Sequence, residues 1–446
     1  MAKVIVVGAG ISGLTTAFLL QKRGHQVRVL ERDALVGGAL RSIREEGFLV
    51  ELGPNSTLDR SGEVASLAAE LGLEGECLEA NRAASRRYVA KDGRPLALPG
   101  GLLAFLASPL FSAGGKLRLL WEPFVRRAPG EESIAAFVKR RLGSEFLDWA
   151  VDPFVSGVYA GDPERLSVRA ATSRIYALEA EYRSLFIGAL RRMLRGRATG
   201  PAPRGRLLSF REGMQALPAA MAARLGEAVR TGTDVTKVAP AAGGWSVTAD
   251  GVSHEAEQVV LAVPSHVCAD LLRPLNAPLA EALEGIRYAA VASVALGLSR
   301  EQIEHPLDGF GMLIPRRLGL ETLGVLFSST LFPGRAPEGR VLLTAFIGGA
   351  RNPNAVARSE NAIVQKVMED LRPLLGIRGA STFQRVTLWP KAIPQYELGH
   401  LDRLQRIAQA LAGMPGLHLR ASWRDGISVA DCVASATALG ERLGNE

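Results

Sequence analysis

The tightest constraint on this chain lies at its start. Lys3-Val4-Ile5-Val6-Val7 is an apolar, β-branched run, Gly8-Ala9-Gly10-Ile11-Ser12-Gly13 follows it, and Leu14, Ala17, Phe18 and Leu20 then recur at helical spacing up to Gly24. That order reads strand, glycine turn, helix. Gly8 permits the tight turn, Gly10 lets backbone approach a pyrophosphate, and Gly13 lets the helix pack close to the strand while its first N–H groups face the anion. Glycines that only turned the chain would require nothing further downstream. Here a second strand, Val27-Arg28-Val29-Leu30, ends on Glu31, eighteen residues after Gly13, where a carboxylate can accept hydrogen bonds from ribose hydroxyls. The expectation is a Rossmann-type unit that binds a dinucleotide.

Which dinucleotide is decided by the next stretch, Gly37-Gly38-Ala39-Leu40-Arg41-Ser42. A second glycine pair just after the acid adds backbone N–H groups for the pyrophosphate, with Arg41 as a charge partner. An acid followed by GGxxRS resembles the FAD-binding amine oxidase and phytoene desaturase superfamily, and that resemblance implies FAD rather than NAD. No Cys or His stands at a flavin-attachment motif, so the cofactor is expected to be non-covalent.

Composition narrows the rest. With 446 residues, 47% hydrophobic and 22% charged, the chain suits two or three globular domains and not a disordered one. Cys77, Cys268 and Cys432 lie far apart, which supports neither a disulfide framework nor a CxxC centre and fits a reducing compartment. His25, His254, His266, His305, His400 and His418 show no HxxxH or HxH pattern, so no metal site is expected. The net charge of +8 could serve nucleic acid, an anionic membrane or an acidic ligand. No long basic block with interleaved aromatics favours nucleic acid. The first strand leaves no room for a cleavable signal, and a cytoplasmic protein is expected.

Along the chain, GFLVELGPNS from Gly47 alternates and ends in a Gly-Pro turn with Asn55 and Ser56. Trp245–Ala249 meets a hairpin turn at Asp250-Gly251, and Gln258–Val263 is a second buried strand. The nucleotide unit is therefore expected to be discontinuous, over 1–75, 205–265 and 385–446. Residues 76–100 and 266–384 remain for substrate, and 101–204 form a helical insertion. That insertion carries Leu102, Leu103, Phe105, Leu106, Leu110, Phe111, Leu117, Leu119, Leu120 and Trp121, yet Pro95, Pro99, Pro109 and nearby glycines would break a membrane span. Two readings stay open. Either apolar side chains enter lipid beside the cationic Arg126, Arg127, Arg191, Arg192, Arg195 and Arg197, or the insertion is an internal helical core with solvated arginines.

Several segments together resemble the protoporphyrinogen oxidase family: GFLVELGPNS at Gly47, PFVSGVYAGDPERLS at Pro153, GFGMLIP at Gly309, TLGVLFSSTLFPGRAP at Thr322, AFIGGARNP at Ala345 and IPQYELGH at Ile393. The resemblance spans nearly the whole chain. It implies an α/β fold of mixed α+β type: a discontinuous Rossmann-type FAD domain, a mixed-sheet substrate domain and an inserted helical membrane-binding domain. It also implies an oxidase that takes a porphyrinogen to the porphyrin in three two-electron steps and returns electrons to dioxygen as peroxide. The expected partners are the porphyrinogen, dioxygen and lipid on the inner face of a membrane, with no nucleic acid and a homodimer left open.

Site residues follow from the same resemblance. In Ser85-Arg86-Arg87-Tyr88-Val89, Arg87 stands where the family pairs a substrate propionate, with Arg86 the alternative; a guanidinium fork suits a carboxylate. Phe310, Leu313, Leu326 and Phe346 fall on tetrapyrrole-sandwiching positions. Gly157 matches a glycine whose carbonyl lies near the reactive carbon, and Asn55 a position beside the flavin. The cofactor is expected to touch Gly8, Gly10, Ile11, Ser12 and Gly13, then Glu31 and Arg32, then Gly38, Ala39, Leu40 and Arg41. Gly53, Pro54, Asn55 and Ser56 extend that set, as do Val235, Trp389, Ile427, Ser428 and Val429. One departure stands out: Leu419-Arg420-Ala421-Ser422-Trp423 replaces a Gly-Asn or Gly-Asp pair before the last flavin segment, which puts local contacts there in doubt. Within the fold the rival substrate is coproporphyrinogen, with four propionates instead of two. A non-redox carrier on the same scaffold is opposed by the intact GAGISG, Glu31 and GGALRS. An amine oxidase would be expected to carry an aromatic cage, but Trp423 is the only aromatic after Tyr396.

Overall fold

The strand Lys3–Val7 is the hub of a parallel sheet, pairing with Gln26–Leu30 on one side and Gln258–Leu261 on the other. Val229–Arg230 and Leu417–Leu419 complete its five strands at the two edges. Strands from distant parts of the chain thus build one Rossmann sheet. The computed structural model describes residues 1–198 and 205–444, the side chains of 195–198 excepted, so Arg195 and Arg197 lie outside the described side chains. The opening strand is apolar on both sides because both faces are covered. Val4 and Val6 point into a layer with Leu14, Phe18, Val433 and Leu439, while Ile5 and Val7 point into one with Trp245, Leu272, Leu283 and Trp423.

That second layer corrects a boundary. The helices Ser265–Leu272 and Ala277–Glu284 were expected with the substrate region, but Cys268, Leu272, Leu279 and Leu283 pack on the nucleotide sheet. Their helically spaced apolar face has this sheet to bury against. The Asp250-Gly251 turn forms as expected: both residues have positive φ and join Gly244–Ala249 to Val252–Ala256.

The second large sheet has seven strands, in the order Phe383–Pro394, Tyr288–Ser299, Arg340–Gly348, Thr322–Leu326, Gly309–Leu313, Arg86–Lys91 and Arg94–Ala97. It is mixed, since Gly309–Leu313 runs parallel to Arg86–Lys91 while the other pairings are antiparallel. Here the boundary at 385 is also corrected. Phe383–Pro394 pairs with Tyr288–Ser299 from Gly297↔Phe383 to Tyr288↔Pro394, so the chain returns to the nucleotide unit only after this strand. One face, with Met312, Val325, Ala345 and Ile347, is buried against Ile363, Val367 and Leu371 of the helix Glu360–Leu375.

Helices dominate from Leu102 to Ala198, including Ile134–Arg141, Asp152–Tyr159 and Leu185–Ala198. Ile134, Phe137, Val138, Leu147 and Val155 form their small apolar core. Beside it lies a buried ionic cluster in which Arg141 bridges Glu122 and Glu179, with Arg140 pairing Glu179 and Glu132. No helix among the described residues is long and apolar enough to cross a membrane. Much of the apolar surface nevertheless faces outward: Leu103 is 82% exposed, Phe124 73% and Leu120 71%, and Leu190 and Leu194 are about half exposed. The arginines expected at that surface divide. Arg127 donates to the carbonyls of Glu179 and Ala180, and Arg192 pairs with Glu181, so both also serve the helices themselves.

Candidate cofactor and substrate site

The two glycine runs meet in space. Gly37 N–H donates to the Ala9 carbonyl at 2.8 Å, and a Cβ on Gly38 would stand 3.4 Å from the Gly10 Cα. Gly13 packs so tightly that an added Cβ would lie 2.0 Å from the Gly8 carbonyl oxygen, whereas a Cβ on Gly10 would meet nothing within 4 Å. Gly8, with φ of +100°, holds the left-handed turn. Space over Gly10 at the head of the helix Ile11–Lys22, which has no capping side chain and no acid in its first turn, is what a pyrophosphate requires. Glu31 organises the same loop, accepting from Ala9 N–H at 2.6 Å and Asp33 N–H at 2.9 Å. Arg41 pairs with Asp33, which orients it beside the glycine loop, and its buried Nε has no protein partner.

The GPNS segment closes on this cradle. Leu52 N–H donates to the Arg41 carbonyl at 2.8 Å, and a Cβ on Gly53 would fall 2.0 Å from the Ala39 carbonyl oxygen. Trp389 reaches over from the substrate sheet to donate to the Leu52 carbonyl at 2.7 Å. Asn55 donates to the Gly53 carbonyl and accepts from Ser209 through its own carbonyl. Val235 packs against the layer that holds Leu30, Val238 and Val247, two residues after Thr233, whose N–H donates to the Glu31 carbonyl at 2.8 Å.

A second helix N-terminus arrives from the far end of the chain. Ser428 caps the helix Val429–Leu443 by accepting from Asp431 N–H at 3.0 Å, and this helix packs along Ile11–Lys22. Cys432 sits against Ser12, and burial pushes its thiol up to about 12. At the departure, the Ala421 backbone is extended at φ −169°, a conformation open to any residue. Tyr396 secures the turn by donating to the Ser422 carbonyl and accepting from Gly426 N–H.

On the mixed sheet, register gathers the expected substrate residues. Arg87, Gly311, Leu326 and Thr344 form one row across four strands, and Val89, Leu313, Gly324 and Phe346 the next. Arg87, Leu313, Leu326 and Phe346 therefore share the face opposite the helix Glu360–Leu375. Phe310 would alternate away, but a bulge between Gly309 and Gly311 re-aims it, and the Arg87 guanidinium lies 5.5 Å from its ring centre. Phe310, Leu313, Leu326 and Phe346 are all half-buried, unlike the fully buried Met312, Val325 and Ala345 between them. Arg86 is engaged elsewhere, pairing with Asp308, whereas Arg87 has no carboxylate partner among the described residues. Gly157 stands over this face, where a Cβ would meet Leu313 Cδ2 at 2.4 Å.

Sequence reasoning missed Glu51 and Arg335. They form a buried ion pair at 3.1 Å and line a cavity of about 10 Å³ together with Asn55, Ser328 and Phe332. Burial pushes the Glu51 carboxyl up and the Arg335 guanidinium down against their mutual attraction, and Ser42 Oγ and Met214 N–H help hold the charge on Glu51. Both stand in segments whose family resemblance was visible, but nothing in either segment alone announces a partner far along the chain. Among the described residues no group of His, Cys, Asp or Glu could hold a metal ion.

The molecule is thus a Rossmann dinucleotide cradle joined to a sheet face on which apolar side chains surround Arg87. The flavin containing amine oxidoreductase model matches residues 11–439. Tobacco chloroplastic protoporphyrinogen oxidase is 36% identical over 97% of this chain and 83% of its own. Coproporphyrinogen III oxidase of Bacillus subtilis is 29% identical over 98% and 96%. A crystal structure from an Exiguobacterium species, provisionally named a protoporphyrinogen oxidase, superposes with a TM-score of 0.85 at 25% identity over 99% of this chain and 98% of that one. The class is therefore an FAD-dependent oxidoreductase. More narrowly, the chain belongs to the protoporphyrinogen oxidase family of the flavin containing amine oxidoreductases.

Proposed function

We propose that this enzyme oxidises protoporphyrinogen IX to protoporphyrin IX with dioxygen as acceptor. The observation that carries this reading is the substrate face: four half-buried apolar side chains on one side of the sheet, with Arg87 as the cation among them. A flat, largely apolar macrocycle fits between such groups, and Arg87 receives a propionate. FAD, when bound, accepts hydride from the substrate and passes electrons to dioxygen. The chain's own residues orient and enclose. Phe310, Leu313, Leu326 and Phe346 hold the ring, Gly157 leaves it room beneath the helix Asp152–Tyr159, and Asn55 joins the cofactor segment to this region. No side-chain base is required at the meso carbon, because the adjacent pyrrole nitrogen stabilises the developing cation and then releases its proton.

Gly8, Gly10 to Gly13, Glu31, Arg32, Gly38 to Arg41, Gly53 to Ser56, Val235, Trp389 and Ile427 to Val429 are proposed to hold FAD. The exposed apolar side chains of the insertion, with Arg126 and Arg191 nearby, are proposed to rest on an anionic membrane face in the cytoplasm. A second reading, coproporphyrinogen III as substrate, draws on the Bacillus subtilis relative; Arg87 beside Phe310, with no carboxylate partner among the described residues, favours the substrate with fewer carboxylates. Turnover followed by oxygen electrode and peroxide assay tests the acceptor and the residue together. One porphyrin should form per three dioxygen consumed, with three peroxide released. Arg87→Ala should lower kcat/KM about thirtyfold or more with flavin content unchanged, and Arg87→Lys should recover part of that. Normal kcat/KM in Arg87→Ala would show that propionates are bound elsewhere.

A further inference from the structure

The helix Asp152–Tyr159 is gripped at both ends. At its start, Arg351 donates through Nη1 to Asp152 Oδ1 and through Nη2 to Ser156 Oγ, while Arg316 N–H donates to Asp152 Oδ2 at 3.3 Å. At its finish, Ala350 N–H donates to the Ala160 carbonyl at 2.7 Å, and Gln395 Nε2 donates to the Tyr159 carbonyl at 2.9 Å. Gly349, at φ +84°, allows this approach, since a Cβ there would lie 2.7 Å from the Ala160 oxygen. Asp152 and Ser156 are one turn apart on one face, and the pair is largely sheltered, with Arg351 18% and Asp152 10% exposed. Phe154, Gly157 and Val158 occupy the opposite, open arc of the helix. A π-helical turn over Leu147–Val151 leads into the helix and shifts its phase.

We propose that Arg351 is a positioning residue for the oxidation. By holding Asp152 and Ser156 it fixes the roll of this helix, and hence the height of the Gly157 backbone over Leu313 and the substrate face. A helix of eight residues with a glycine at its working position has little intrinsic stiffness, so the side-chain grip supplies it. Arg351 itself lies on the far face of the helix and touches no substrate. Its effect is therefore on orientation, and small misplacements of a reacting centre are expensive in rate.

This inference rests on the porphyrinogen reading, and anaerobic single-turnover reduction of the bound flavin by protoporphyrinogen tests the two separately. In Arg351→Gln combined with Asp152→Asn, which leaves no unpaired buried charge, the reduction rate constant should fall about ten- to a hundredfold, with half-saturating substrate changed by less than about threefold. Flavin stoichiometry and melting temperature should stay close to wild type. Ser156→Ala, which removes one contact of the grip, should show a smaller fall, and Arg351→Lys should retain part of the rate. Wild-type rates in the double variant overturn the positioning role alone. A rate loss that merely tracks lost flavin or lost folding in both the double variant and Ser156→Ala also overturns it. If wild-type enzyme leaves its flavin oxidised with either porphyrinogen, the substrate reading falls and the positioning role falls with it.

Discussion

In the nucleotide unit Val4, Val6, Leu14 and Leu20 are buried beneath helices, whereas in the helical insertion Arg141 and Glu122 are fully buried while Leu103 and Phe124 stand in the open. The two regions solve different problems. A Rossmann cradle must bring backbone within reach of an anion, so its determinants are glycines and a close-packed apolar sheet. The insertion presents apolar side chains outward and cannot also spend them on a large core, so its helices are pinned by charge. Such pinning is specific but stabilises weakly, because desolvation offsets much of the attraction between the ions.

The largest expected effect separates the regions by their backbone. Gly10→Val should abolish FAD binding without unfolding the protein, because the new side chain enters only the open space over the loop. Gly13→Ala should instead disturb the nucleotide domain itself, since its Cβ collides with the Gly8 carbonyl. Visible flavin absorbance set beside far-ultraviolet circular dichroism checks both. Stoichiometric flavin in Gly10→Val would place the pyrophosphate elsewhere.

Next comes the ionic interior. Arg141→Ala strands the buried Glu122, leaves Glu179 to Arg140, and should destabilise the insertion by about 3–5 kcal/mol. Flavin should remain bound, so urea unfolding followed by flavin fluorescence and by circular dichroism should separate into two transitions. A single coincident transition at the wild-type midpoint would show that the cluster carries no such load.

The smallest effect on folding, and the sharpest on location, belongs to the exposed apolar set. Replacing Leu103, Leu120, Trp121 and Phe124 by Ser should change stability by only about 0.5 kcal/mol per site, since these side chains are already in solvent. Flotation with anionic liposomes should be lost. Unchanged flotation at low salt would move the membrane contact to another surface.

The same contrast explains what was legible in the sequence. Gly8, Gly10, Gly13 and Glu31 could be read because their role is local: spacing along the chain equals placement in the loop. The apolar run from Leu102 to Trp121 could not be resolved between core and surface, because helical spacing is the same whichever way the stripe faces; Leu110, Phe111 and Leu119 turn inward while Leu103, Leu117 and Leu120 do not. Arg141 gave no signal, since three basic residues at Lys139, Arg140 and Arg141 read as a solvated face until their distant acids are in view. The strand Phe383–Pro394 was assigned across a boundary because pairing partners, which decide its domain, lie about ninety residues away. What distinguishes Arg86 from Arg87 is a long-range contact too, the pairing of Arg86 with Asp308.

The most direct test of the account is anaerobic mixing of the purified yellow enzyme with protoporphyrinogen and, separately, with coproporphyrinogen, following the bleaching of the flavin. An apolar face with Arg87 as the guanidinium beside Phe310 predicts rapid bleaching by protoporphyrinogen and slower, weaker-binding bleaching by coproporphyrinogen. Faster bleaching by coproporphyrinogen, or none by either, would contradict it.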